Sequence, residues 1–433
     1  MLKVSKYTIY QKITSDAYLF YNSKTSWLRI YNNKDFNDLK NKKYDNFKEF
    51  VVDPDLDEFK EVANYRISYI NKEKDYIRFT IFPTMRCNAR CKFCYENGEH
   101  RIDMTEEIVE NTITFIKKEA IKYKKLRIYW FGGEPLVSKN IMSYISRELI
   151  EFCNINNISY RASIATNMSL LNDNNYEDFI REYKIDKIEY AFDGVEEEHN
   201  ASKNYLDKSF NAFKHNLEML PKLLNKNIIV QLRLNCTIEN FEKLAILLQN
   251  LLLKYGKYKN FIPYFAMIFP TKYFNNNDKL INKTNLGYYK LKILDFMLKY
   301  RNAGMDTFPL SRGVINCYGS NPNSIVIGPT GLLSKCQGCS TNPNQSIGDV
   351  KLGINKNINY YNWCYNNITE ECKTCNLYPI CLGGCTDSLM SNNKKPCIKE
   401  KYYIEELLKK VGEYMLNNKI SEYHYEIDDE SKV

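Results

Sequence analysis

The chain has 433 residues, with 61 Lys and Arg against 52 Asp and Glu and a net charge of +9. That length allows a large core and two or three domains, and the basic residues are interleaved with acids, which argues for weak steering toward acidic partners and against a nucleic-acid footprint. Residues 1–30 lack an apolar signal core and no run of about 18 apolar residues occurs, so neither export nor a membrane span is expected and the cytoplasm is the expected location. In that reducing compartment the 14 cysteines point to metal ligation over disulfides. Only four histidines, His100, His199, His215 and His424, are present, which disfavours a histidine-centred metal site or hydrolase.

In chain order, 6–13, 17–21 and 26–31 read as strands, and 35–50 and 57–70 as helical or mixed segments. From 76 to about 300 strands and helices alternate, with strands over 76–82, 126–130, 160–165, 187–192, 228–235 and 262–269. The segment 105–123 repeats Val109, Ile113, Ile116 and Ala120 on one helical face, and Asp103 with Glu106 reads as its cap. Six such units predict an α/β fold, a parallel, right-handed partial (β/α)6 TIM-like barrel. The Asn-rich 275–285 reads as a surface loop. Residues 301–400 are loop-rich and carry nine of the 14 cysteines. The tail opens as an amphipathic helix and ends in an acidic stretch, 426–430, expected to fray. The expected domains are 1–75, 76–302, 303–402 and 403–433.

Four motifs carry chemistry. Cys87-Asn88-Ala89-Arg90-Cys91-Lys92-Phe93-Cys94 is a CxxxCxxC loop after a strand that Pro83 ends; three thiolates can hold three irons of a cubane cluster and leave the fourth open to a ligand. Structural zinc takes four closed ligands and fits this loop less well. The strand 126–130 runs into Phe131-Gly132-Gly133-Glu134-Pro135, where glycines let backbone approach a ligand and a carboxylate can meet an ammonium. Ser163 to Asn167 ends a third strand; Asp193 ends a fourth and either lines a cavity or caps the next helix; Arg233 and Asn235 sit on the fifth, facing a ligand or the barrel mouth. Near the C-terminus, Cys372, Cys375, Cys381 and Cys385 fit Cx2Cx5Cx3C with Cys397 beyond, and Cys317, Gly331 and Cys336 fit Cx13Gx4C. Zinc is the alternative for these CxxC pairs, and Cys153 and Cys236 read as core packing.

Residues 84–95 resemble the cluster loop of the radical S-adenosylmethionine (radical SAM) superfamily. The resemblance implies a [4Fe-4S] cluster on Cys87, Cys91 and Cys94 whose open iron chelates the amino and carboxylate groups of S-adenosylmethionine, with Phe93 near the adenine. Gly132, Gly133 and Glu134 are similar to the superfamily's GGEP segment, which holds the methionine amino group. By the same resemblance Ser163 and Asn167 contact the ribose, with Met168 where a Gly is usual, and Asp193 and Arg233 face the nucleotide; Ala191 and Asn200 depart from the family's SxDGxxxxHD pattern. The C-terminal cysteines resemble the SPASM extension, which implies two auxiliary clusters, one on Cys317, Cys336 and Cys385 and one on Cys372, Cys375, Cys381 and Cys397. For the first, Cys339 is the candidate fourth ligand, with Cys364 or an open iron as alternatives. Residues 1–75 resemble the N-terminal recognition elements of enzymes that modify ribosomally made peptides, and 50–58 are similar to the acidic turn that precedes the cluster loop in them.

The resemblance implies that reductive cleavage of S-adenosylmethionine yields a 5′-deoxyadenosyl radical that takes a hydrogen atom from the substrate. The expected function is a peptide maturase that installs a crosslink, foremost a thioether, in a precursor peptide with a leader, using a reductant such as flavodoxin or ferredoxin. A carbon-carbon crosslink is nearly as compatible. A sulfatase-maturing, formylglycine-forming enzyme is the enzymatic alternative. A non-catalytic iron-sulfur sensor is the alternative of another class, and the intact Cys87, Cys91, Cys94 and Glu134 argue against it.

Overall fold

The computed structural model describes residues 2–94, 96, 102–269, 280–300, 304–313, 315, 317–365, 368–392 and 397–426. Tyr95, His100, residues 275–279 of the Asn-rich stretch and residues 427–430 of the acidic tail lie outside them. The chain divides into two compact units: a barrel unit of 73–282 with 322–361, and a second unit of 1–72, 283–321 and 362–433. Neither follows the linear boundaries expected above.

In the barrel unit the strands β1 (Tyr76–Ile81), β2 (Lys125–Trp130), β3 (Ser159–Ala165), β4 (Ile185–Phe192), β5 (Ile229–Cys236) and β6 (Phe261–Met267) stand side by side in sequence order, all parallel. Helices α1 (Glu106–Ala120), α2 (Lys139–Ile155), α3 (Tyr176–Tyr183), α4 (Glu196–Lys203), α5 (Ala212–Asn225) and α6 (Phe241–Tyr255) fill the crossovers. The strands alternate sharply. Ile77, Phe79, Ile81, Leu126, Ile128, Trp130, Ile188, Val230, Leu232 and Leu234 are buried, and Phe79 meets Phe115 of α1 edge to face at 5.8 Å, which fixes this as the helix-covered side. The alternate positions are polar: Arg78 lies over the Tyr129 ring, and the Tyr129 and Tyr264 hydroxyls donate to Glu189. One face is thus an apolar core and the other a polar concavity, which is what a site inside an open barrel needs.

Two features depart from the expected layout. Ser324–Ile327 (β7), in the expected third domain, pairs in parallel with β1 and carries Leu333–Ser334 on its outer side, so the sheet has eight strands. Its apolar Ile325, Val326 and Ile327 cover an edge that six strands would leave unpaired. The start of α1 is a correction: Thr105, not Asp103, is its N-cap, accepting from the Ile108 N–H at 3.3 Å, because the Asp103 carboxylate is taken up by Arg86 and Ser138.

The second unit is built on an antiparallel sheet of Thr8–Lys12, Ala17–Asn22, Trp27–Asn32 and, from the far end of the chain, Glu422–His424. Alternation places Leu19, Tyr21 and Leu28 on one face, where Leu407, Leu408, Val411 and Met415 of the helix Ile404–Asn417 cover them. Phe20 and Tyr31 face the other way onto Phe36, Phe47 and Phe50. The C-terminal helix and the strand after it are therefore core elements of the unit that opens the chain. Among the described residues no helix is long and apolar enough to cross a membrane.

Candidate functional site

The CxxxCxxC loop leaves the carboxyl end of β1, where parallel α/β sheets place chemistry. Its first turn is held by the Gly132-Gly133 segment that leaves β2 beside it: Gly133 N–H donates to Thr84 O at 3.1 Å and Glu134 N–H to Arg86 O at 2.8 Å. A Cβ on Gly133 would fall 2.3 Å from Arg86 O and 2.6 Å from Met85 O; one on Gly132, whose φ is +126°, would fall 2.3 Å from Thr84 O. The two glycines are required for one backbone to lie on another, before any cofactor is considered. The rest of the loop lies along residues 202–206: Ala89 bridges Tyr205, Leu206 N–H donates to Asn88 O, Arg90 N–H to Lys203 O and Lys92 N–H to Ser202 O. The Arg90 guanidinium closes the turn on the carbonyls of Cys87 and Ala89 at 2.7 and 2.8 Å.

Cys87, Cys91, Phe93, Cys94, Gly132, Gly133, Asn167, Asp193, Arg233 and Asn235 all line one cavity of about 290 Å³. Ser163 and Glu134 do not line it. Ser163 sits lower on β3, its hydroxyl 3.4 Å from Ile128 O. Glu134 is 1 % exposed and serves as a tie: its carboxylate accepts from Leu136 N–H, the Thr166 hydroxyl and Asn167 N–H at 3.1, 2.8 and 2.7 Å. Burial raises its pKa to about 7 against those three hydrogen bonds. It is thus the backbone of the GGEP segment, not its carboxylate, that faces the cavity. Asn167 also has internal partners: its amide donates to Asn88 Oδ1 at 2.8 Å and lies 3.9 Å from Cys87 Sγ, and its Oδ1 accepts from Ser169. Met168 takes φ +70°, so the position where a glycine is usual keeps its left-handed backbone with a buried side chain in place.

Of the two readings of Asp193, geometry selects the cavity. Helix α4 is capped at Val195 with no side-chain bond, whereas Asp193 accepts from Asn235 at 2.7 Å and Ser202 at 2.8 Å and pairs with Lys203 at 3.3 Å. Burial opposes its charge, but Lys203 and these hydrogen bonds outweigh it and hold the carboxyl below the usual range. His199 is fully buried between Phe192 and Phe213, and burial followed by Lys203 lowers its pKa to about 3, so it is a neutral packing residue.

Sequence reasoning missed Lys203 and Glu189, both in the cavity wall. Lys203 closes the segment Glu196-Glu197-Glu198-His199-Asn200-Ala201-Ser202-Lys203, which reads as a solvated helix end. Glu189 had one usable signal, a charged residue between the apolar Ile188 and Tyr190 in the second half of its barrel strand.

The donor set fits an iron-sulfur cluster. Burial raises all three thiols, Cys87 to about 12 and Cys94 to about 11, and Cys87 feels both other cysteines. Thiolates gathered in such a place need a bound cation. Among the described residues no three His, Cys, Asp or Glu are drawn together closely enough for a single ion; a cubane gives each thiolate a different iron and needs only that they share one cavity.

In the second unit, Cys372, Cys375, Cys381 and Cys397 line a small cavity of about 30 Å³ with Tyr378 and Lys401, whose ammonium lies 3.5 Å from Cys397 Sγ. The candidate ligands of the other auxiliary cluster divide between the units: Cys336 and Cys339 in the barrel unit, Cys317, Cys364 and Cys385 in the second. Cys339 is buried and its thiol donates to Gln345 Oε1 at 3.1 Å. Cys153 and Cys236 are buried in the barrel unit.

Residues 81–245 match the Radical SAM superfamily. The radical SAM cyclopropyl synthase TigE of Paramaledivibacter caminithermalis is 23 % identical over 87 % of this chain and 84 % of its own length. Among solved structures, anSMEcpe with bound AdoMet and Cp18Cys peptide superposes with a TM-score of 0.58 at 18 % identity, covering 79 % of this chain and 97 % of that one. Streptococcus suis SuiB bound to precursor peptide SuiA gives 0.50 at 14 % identity, covering 91 % and 98 %. The cluster-loop cysteines and the glycine pair, converging at the carboxyl ends of a parallel barrel, lie within residues 81–245, the segment that matches the Radical SAM superfamily.

Proposed function

We propose that this enzyme is a radical SAM peptide maturase that removes a hydrogen atom from a ribosomally made precursor and forms a crosslink in it. One observation carries the reading: Cys87, Cys91 and Cys94 line the same cavity as the Gly132-Gly133 backbone, with the polar wall of Glu189, Arg233 and Asn235 around them. Cys87, Cys91 and Cys94 would hold the cluster, Gly132 and Gly133 would offer backbone to the methionine moiety, and Phe93 and Asn167 would border the nucleoside. When bound, the cluster and S-adenosylmethionine supply a hydrogen-abstracting radical. The chain's part is to fix the loop through Gly133, Glu134 and Asn167 and to hold the Lys203 charge opposite Asp193. The cysteines of residues 303–402 would hold two auxiliary clusters in a SPASM-type region, able to accept the electron left when the new bond closes. A one-electron reductant such as flavodoxin or ferredoxin would serve it in the cytoplasm.

The peptide substrate is supported by SuiB and anSMEcpe, whose structures contain peptides. For the bond, the cysteine-rich auxiliary region favours a thioether. The name of a relative similar over 87 % of this chain favours a carbon-carbon ring closure as the second reading. The test is anaerobic incubation with a candidate cysteine-containing precursor peptide, S-adenosylmethionine and reductant, followed by mass spectrometry. Loss of two hydrogens with loss of an alkylatable thiol means a thioether; the same loss with every thiol still alkylatable means a carbon-carbon bond. No mass change while 5′-deoxyadenosine accumulates would contradict the peptide reading.

A further inference from the structure

A lysine and an aspartate buried together are weak contributors to stability, because desolvation offsets most of their attraction. Lys203 and Asp193 are such a pair: their side chains are 11 % and 0 % exposed, 3.3 Å apart, and both line the cavity of the cluster-loop cysteines. Lys203 is also fixed against that loop. Its carbonyl accepts from Arg90 N–H and that of Ser202 from Lys92 N–H, at 3.0 and 2.9 Å, on either side of Cys91. Burial works against its ammonium, but the Asp193 carboxylate at 3.3 Å outweighs burial and keeps it charged.

We infer that Lys203 and Asp193 form an opposed pair of charges that sets the reduction potential of the cluster on Cys87, Cys91 and Cys94, the buried ammonium favouring the reduced form and the carboxylate limiting it. The inference rests on the reading of those cysteines as cluster ligands. One electron from an external one-electron reductant enters without a proton, so the cluster gains one negative charge. Charges as deeply buried as those of Lys203 and Asp193 feel that added charge far more than surface groups would. Net charge around a cluster is among the quantities that fix its potential. Lys203 and Asp193 are positioning residues here, acting through the cluster and not on substrate.

The test is a potentiometric titration of the anaerobically reconstituted full-length protein followed by electron paramagnetic resonance, the cluster of interest being the one whose signal changes on adding S-adenosylmethionine. Lys203→Met is expected to lower the reduced-to-oxidised ratio at a fixed potential about tenfold, a shift of 59 mV to more negative values for one electron. Lys203→Arg is expected to stay near wild type, and Asp193→Asn to shift the potential the opposite way. Unchanged potentials, or shifts of the same sign in Lys203→Met and Asp193→Asn with iron content retained, would overturn the inference, since a merely structural role predicts no opposition of sign. Should Lys203→Met lose its iron, Asp193→Asn and Lys203→Arg decide alone: a positive shift in the former with none in the latter supports it, and anything else overturns it. A wild-type protein with no signal that responds to S-adenosylmethionine would refute the cluster reading itself and the inference with it.

Discussion

The two cysteine-lined cavities are built on different principles. Around Cys87, Cys91 and Cys94 the protein supplies its own geometry: a glycine pair laid on the loop's backbone, a buried carboxylate tying the next strand end, and a bridge to residues 202–206. Around Cys372, Cys375, Cys381 and Cys397 the elements are helices of five and four residues, Glu370–Thr374 and Tyr378–Cys381, followed by Leu382, Gly383 and Gly384 at φ +49°, +106° and +73°. Helices that short do not hold themselves in water. The contrast teaches that the first cavity is held by backbone contacts between long elements, whereas the second rests on two short helices packed through Tyr378 and Leu382 onto Tyr7 and Val62.

The largest expected effect is on the second cavity. Cys375→Ala should lose about four irons, the content of one cubane, and with them the ordered state of residues 370–392, read by iron assay and hydrogen exchange. If the exchange there stays as in wild type, the metal does not organise that region and the contrast fails. Next comes Gly133→Ala. Its Cβ would meet two backbone carbonyls at 2.3 and 2.6 Å, so the loop and the strand end must separate, at about 3 kcal/mol, with loss of iron from the first site only. Iron loss from both sites would mean the two are not independent.

Glu134→Gln sharpens the point about preorganisation. An amide cannot accept all three N–H and O–H donors, which costs roughly 1–3 kcal/mol for the donor left without a partner. It also changes the pH profile. Because the folded pKa is raised to about 7 from an ordinary 4.5, the folded chain binds the extra proton, so Glu134 costs nothing below pH 4.5 and destabilises progressively as pH rises through 7. The difference amounts to about 3 kcal/mol over that window. Thermal melts from pH 5 to 8 should fall with pH in wild type and lie flatter in Glu134→Gln; parallel curves would contradict the assignment. Smallest is Thr105→Ala, which removes the α1 cap for about 1 kcal/mol and should leave iron loading at both sites unchanged.

The alternation of strands such as β5, Ile-Val-Gln-Leu-Arg-Leu-Asn-Cys, made the barrel and its polar inner face legible in the sequence. Spacing marked the three cluster-loop cysteines, and the glycine pair stood out only through its place about forty residues after them at the end of a strand. What alternation and spacing do not carry is long-range pairing. Nothing local in Ser324–Ile327 says that it joins β1, or in Glu422–His424 that it returns to Trp27–Asn32. The Glu134 carboxylate was expected at a ligand's ammonium and is found tying Thr166 and Asn167, because a buried carboxylate takes the nearest donors. Lys203 was invisible for the same reason: its role comes from the fold bringing residues 202–206 against the loop.

The measurement that tests the central claim most directly is 5′-deoxyadenosine formation by the anaerobically reconstituted, dithionite-reduced protein given S-adenosylmethionine and the candidate peptide, beside Cys94→Ala treated identically. Product from wild type and none from Cys94→Ala, with the auxiliary irons retained, is the predicted result. Equal product from both, or none from a fully iron-loaded wild type with peptide present, would contradict it.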